Sequence, residues 1–134
     1  MNRTIKFRGK RLKTDDPLER WIEGSLVEYT DIYDHKQVRI VSSSGHYNDV
    51  SPETVGQFTG QLDKNGKEIY EDDIVRYYDF IEDELLAAKV TFHADSCSFC
   101  AQPKCNDPVG LFAHWQYEVI GNIHDDPTLI SDKQ

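Results

Sequence analysis

Long apolar runs are missing from this sequence. No stretch approaches a spanning helix, and the opening Met1 to Lys13 is positively charged without an apolar segment of leader-peptide length. The expectation is a chain with no membrane partner. Cysteine is scarce: the three residues, Cys97, Cys100 and Cys105, are odd in number and bunched, a poor disulfide framework for a secreted domain. A reducing, cytoplasmic location fits better. Repeats, low-complexity tracts and linkers are also wanting, so the 134 residues read as one domain, 1-134. A chain of this length hides roughly 68% of its unfolded surface, enough for a core without disulfides or metals.

Positive charge is in short supply as well. Fifteen Lys and Arg face twenty-four Asp and Glu, for a net charge of -9. Such a molecule repels phosphate backbones and anionic lipid as a whole, which disfavours nucleic acid as a partner. The distribution is uneven, however. Arg3, Lys6, Arg8, Lys10, Arg11 and Lys13 precede the first acid, Asp15, leaving nine basic residues against all 24 acids, or -15, in the remainder. The simpler reading of this basic edge is attraction to the acidic body of its own or a neighbouring subunit; nucleic-acid binding through it is the alternative.

What is present is strand signal. Apolar residues recur at every second position or in short bursts. In Thr4 to Lys10, Ile5 and Phe7 point one way and Lys6, Arg8 and Lys10 the other, a half-buried strand. Asp15, Asp16 and Pro17 supply turn chemistry before a second strand, Trp21 to Val27, in which Gly24 marks a candidate bulge. Val38, Ile40 and Val41 suggest a further short strand ahead of a Ser-Gly loop at 42–45.

The clearest local signal is Asp63-Lys64-Asn65-Gly66-Lys67. A two-residue Asn-Gly loop would set Lys64 opposite Lys67 and Asp63 opposite Glu68. A type I turn with Gly66 in a bulge sets Asp63 opposite Lys67 instead, and is therefore the expected closure. A second tight turn at Glu71-Asp72-Asp73 should lead into the strand Ile74 to Tyr78. Phe80 to Ala88 is the one stretch expected to form a helix, with Glu82, Asp83 and Glu84 in its first turn, and a long hairpin loop as the alternative. Lys89 to His93 and Glu118 to Ile123 read as strands, the latter stopped by Asp125, Asp126 and Pro127.

These residues carry a resemblance. The blocks 54–60 (TVGQFTG), 63–71 (DKNGKEIYE), Asp73-Ile74-Val75 and Glu118 to Ile123 with Pro127, together with the opening Ile5-Lys6-Phe7-Arg8, resemble the YopX family of phage and prophage proteins over nearly the whole chain. The resemblance implies a mainly β, compact, self-associating protein of phage or prophage origin, working in the host bacterial cell, with no established enzymatic role. It supplies no catalytic residues. The implied fold is one of short antiparallel strands and hairpins around a partly closed, barrel-like core, with at most one short helix. Where the family usually has glycine this chain has Asp72. If that position needs a positive φ, Asp is among the few replacements tolerated, at a cost of about 1 kcal/mol.

Cys97, Cys100 and Cys105 with His93 or His114 have the donor types for zinc, but only one Cys-x2-Cys knuckle is present; incidental thiols in a loop explain them more simply. A thioredoxin-like pair at Cys97 and Cys100 lacks the strand-to-helix setting, and a nucleophile at Cys97 or Cys105 with His114 lacks an orienting partner. Glu68, Glu71, Asp72, Asp73, Asp125 and Asp126 offer oxygens to a hard cation, against the plainer reading of solvated turns. No catalytic, cofactor-binding or metal site is therefore assigned. Tyr77, Tyr78 and Phe80, with Phe112, Trp115 and Tyr117, suggest a core and a contact face for another protein or a second copy. The functional expectation is a non-enzymatic accessory protein that self-associates and binds an unknown phage or host protein. The alternatives are a metal-dependent or nucleic-acid-processing enzyme using the cysteine loop, and nucleic-acid binding through the basic strand.

Overall fold

The computed structural model describes residues 3–14, 16, 20–105, 107–111 and 115–131. The protein is mainly β, with strands paired antiparallel and a four-residue helix, α1 (Thr128–Ser131), near the end. The chain divides into two compact units, Met1–Phe58 and Thr59–Gln134.

The first unit holds β1 (Phe7–Lys10), β2 (Trp21–Thr30), β3 (Lys36–Val41), β4 (Tyr47–Asp49) and the start of β5 (Gly56–Leu62), in the spatial order β4-β3-β2-β1-β5. The alternation expected of the opening strand is present: Phe7 packs against the core formed by Val38, Ile40 and Val50, while Lys6, Arg8 and Lys10 lie on the other face. β2 serves two neighbours in succession. Trp21 to Gly24 pair with β1, and Ser25 to Thr30 pair with β3. The handover falls on Gly24, whose φ is 157° and where a Cβ would stand 2.0 Å from the Val41 carbonyl oxygen. Only glycine lets the β3 backbone approach so closely.

In the second unit the end of β5 forms a hairpin with β6 (Glu68–Tyr70), and β7 (Asp73–Asp79), β8 (Glu84–His93), β9 (Ser98–Pro103), β10 (Val109–Gly110) and β11 (Glu118–Asn122) form a sheet ordered β10-β9-β8-β7-β11. Its core gathers Ile69, Val75, Tyr77, Leu86, Ala88, Val90 and Ala101. The first hairpin closes as the charge pairing predicts: the Asp63 amide donates to the Lys67 carbonyl at 2.7 Å, the Gly66 amide donates to the Asp63 carbonyl at 3.0 Å, and Gly66 has φ 85°. Asp72 has φ 71°, a left-handed backbone that glycine adopts freely and Asp tolerates, so the positive φ considered for this position is present.

The first unit's core is partly closed: just past β1, Arg11 bridges Val50 antiparallel, the Leu12 amide donates to the Asp49 carbonyl at 3.1 Å and the Ser51 amide to the Lys10 carbonyl at 2.8 Å, so the end of β1 meets the end of β4 without completing a barrel. Two expectations need correction. Phe80 to Ala88 is not helical: a tight β7–β8 hairpin joins Asp79 to Glu84, with Asp83 at φ 54°. The Asp79 carboxylate accepts the amides of Ile81 at 2.9 Å and Glu82 at 3.1 Å, fixing the reversal. The alternation Leu86, Ala88, Val90 then runs in phase through the whole of β8, and burying that row outweighs the helix propensity of the Leu-Leu-Ala-Ala stretch. The cysteine segment is not wholly loop, because Cys100 is a buried residue of β9.

Candidate functional site at the turn end of the β7–β8 hairpin

Asp63 organises the second unit's surface. Its side chain is buried, and its two oxygens divide their work: Oδ1 accepts the amides of Asn65 at 2.8 Å and Lys67 at 2.9 Å, and Oδ2 accepts the amide of Val119 at 2.9 Å. The Lys64 amide adds a bond to the Tyr117 carbonyl at 2.8 Å. One turn thus anchors the entry to β11. Burial pushes the Asp63 carboxyl pKa up, but the three backbone donors and nearby Lys67 outweigh it and hold the group below its ordinary value.

Just before β11 the chain bends at Gln116, φ 53°, and Tyr117 turns inward, its hydroxyl donating to the Gly110 carbonyl at 2.8 Å. Burial, with Tyr77 and Cys100 nearby, raises the Tyr117 pKa. The β11 ladder on β7 ends at the pair Glu118 and Arg76. Beyond it, Tyr77 to Asp79 keep β8 on one side and have no ladder partner on the other among the described residues.

An open pocket of about 330 Å³ occupies this place, lined by Lys64, Arg76, Tyr77, Tyr78, Phe80, Leu85, Trp115, Gln116 and Glu118. Its walls are aromatic. Trp115 meets Tyr77 edge-on at 5.7 Å and Phe80 at 6.3 Å, and Phe80 meets Tyr78 at 5.0 Å. As adjacent strand residues must, Tyr77 and Tyr78 point to opposite faces, 2% and 38% exposed. The Tyr77 hydroxyl is buried with no hydrogen-bond partner among the described residues, and burial together with Asp79 pushes its pKa up to about 12.

The rim is charged. Arg76 Nη2 bonds Glu118 Oε1 at 2.9 Å, and Lys64 Nζ stands 4.0 Å from the same oxygen. The hydrogen bond from Arg76 lowers the Glu118 pKa, reinforced by the charges of Arg76 and Lys64. Two cations therefore share one carboxylate. At the hairpin apex, Phe80, Ile81 and Leu85 are 71%, 87% and 53% exposed.

The candidate residues singled out from sequence are mostly dispersed. Cys97 sits in the β8–β9 turn at φ 52°, its thiol directed at the Ala94 carbonyl; Cys100 is buried, and Cys105 is exposed beyond β9. His93 ends β8 with Nδ1 3.4 Å from Ser96 Oγ. His114 and Phe112 lie outside the described residues. Among the described residues no three His, Cys, Asp or Glu side chains form a group able to hold a metal.

The acidic turns do more than meet solvent. Asp73, 1% exposed, accepts the Tyr70 amide at 2.8 Å. Asp72 Oδ2 contacts His124 Nε2 at 3.0 Å, and Asp125 accepts from the Asn122 side chain at 3.1 Å. In the first unit, Lys6 pairs with Glu23 at 2.9 Å and lies 5.5 Å from the Phe58 ring, while Arg8 and Lys10 flank Trp21 at 4.7 and 5.5 Å. Sequence reading missed the Lys64, Arg76 and Glu118 triad. Only the β7–β11 register brings residues 42 positions apart into one ion pair.

These features define a mainly β protein that carries an open aromatic groove with a charged rim. A family model described as YopX protein matches residues 6–131, and the chain belongs to the YopX family. No curated protein matches it. Among the described residues no helix is long and apolar enough to cross a membrane.

Proposed function

We propose that this chain is a phage- or prophage-encoded accessory protein that acts in the cytoplasm of its bacterial host by binding protein, its own copies included, and not by transforming a substrate. The observation that carries this reading is the apolar apex of the β7–β8 hairpin. Isolated exposed apolar residues are ordinary, but here Phe80, Ile81 and Leu85 adjoin Tyr78, with Tyr78 and Leu85 paired across the strands and Phe80 against the Tyr78 ring. A contiguous apolar projection of this kind favours a protein contact.

The two alternatives have less support. The basic strand's charges are engaged locally by Glu23, Phe58 and Trp21, and the cysteines occupy a turn, a strand interior and an exposed segment. Light scattering across a dilution series tests the self-association. The expected result is a mass that falls with dilution and drops to that of one chain in Ile81→Asp. A single-chain mass at every concentration, or an Ile81→Asp mass equal to the parent's, would overturn it.

A further inference from the structure

We propose that the groove between β7 and the Trp115–Glu118 segment is a docking site for an extended, acidic segment of a partner protein, which adds as a strand to the unpaired half of β7. This rests on the protein-binding reading and deepens it: the groove shares Tyr78, Phe80 and Leu85 with the hairpin apex but is not lined by Ile81.

Three observations converge on it. First, among the described residues β7 has no ladder partner on its β11 side after Arg76, so Tyr77 to Asp79 offer a strand edge, and the 330 Å³ pocket lies beside that edge. Exposed strand edges are templates for an added strand. Second, the rim carries the charge an acidic segment would meet: Arg76 and Lys64 share the single carboxylate of Glu118. Third, Tyr77 lines the same pocket, and its hydroxyl is buried and unpartnered among the described residues.

The strand geometry then dictates the ligand's pattern. Side chains of an added strand alternate between faces. One row would run alongside Arg76 and Tyr78, the other alongside Tyr77 and Trp115. Acidic residues suit the first row and small apolar residues the second. The occupant is thus an alternating apolar–acidic segment, not a basic peptide.

A blocked hexapeptide alternating valine and aspartate, titrated into labelled protein and followed by the backbone amide resonances of Tyr77, Tyr78 and Asp79, tests this. Saturable shifts at those amides are expected, with affinity falling at least tenfold when lysine replaces the peptide's aspartates or when salt is raised to 0.5 M. Arg76→Gln should weaken binding severalfold. Glu118→Gln, which frees both cations from their shared carboxylate, should tighten it. Ile81→Asp should bind like the parent, so that failure of self-association leaves this result standing. Equal binding of the lysine peptide, weaker binding by Glu118→Gln, no shift at millimolar peptide, or β7 shifts that appear on concentrating the protein without peptide would each overturn the proposal.

Discussion

The two units handle the same residue types differently. In the first, Lys6 is matched to Glu23 and to the Phe58 ring, Arg8 and Lys10 flank Trp21, and Arg39 bonds Asp49 at 2.8 Å while lying 4.5 Å from the Tyr29 ring. Cations and rings neutralise one another on the face of a sheet. In the second, the rings of Tyr77, Tyr78, Phe80 and Trp115 wall a groove, and the cations Arg76 and Lys64 converge on one acid at its rim. Composition does not distinguish a satisfied surface from a receptive one. Register does, because it decides which charges and rings become neighbours.

The units also differ in what holds them. The first depends on a backbone position, Gly24, and the second on a carboxylate, Asp63. The largest effect is expected from Asp63→Ala, which leaves the amides of Asn65, Lys67 and Val119 without their acceptor and should cost about 3 kcal/mol in denaturant unfolding. Hydrogen exchange should show the loss around β11. Gly24→Ala should cost about 2 kcal/mol, since the new Cβ meets the Val41 carbonyl and forces a shift of β2 or β3. Its increased exchange should centre on β2 and β3. If each substitution instead loosened both units equally, the contrast would fail.

Acid sharpens the same comparison. Because the folded Asp63 pKa lies below its unfolded value of about 3.8, its contribution is complete above that value and is lost as pH falls through the lower, folded one. Amide protection around β11 should therefore decline in this acid range, and Asp63→Asn should remove that component of the pH dependence. The Gly24 handover has no such titration. The smallest change is expected for Asp72→Gly, which relieves a positive φ but gives up the contact with His124; a net gain of about 0.5 kcal/mol in thermal or denaturant unfolding is expected.

Legibility followed the range of the interaction. The bulged turn at Asp63 to Lys67 could be read from charges two to four residues apart and the two-faced opening strand from its alternation, whereas the left-handed demand at Asp72 was implied only by the family resemblance. The β7–β8 hairpin was misread because the acidic run and the Leu-Leu-Ala-Ala stretch satisfy local helix preferences. The decisive signal, Leu86, Ala88 and Val90 in phase with β8's later half, only prevails once a core exists to bury that row. β9 was missed because its burial does not alternate cleanly. The acidic turns looked like solvated tips, yet Asp73 is buried against the Tyr70 amide.

By itself the sequence determined the mainly β class, the chemistry of the turns and the family to which the chain belongs, since turn residues and period-two alternation act between neighbours along the chain. The tertiary structure alone decided that β2 passes from β1 to β3 at Gly24, that Glu118 lies between Arg76 and Lys64, and that among the described residues β7 outruns its partner to leave a groove. Those outcomes depend on strand register and on where pairing stops, which are set by burial and hydrogen bonding between segments far apart in sequence.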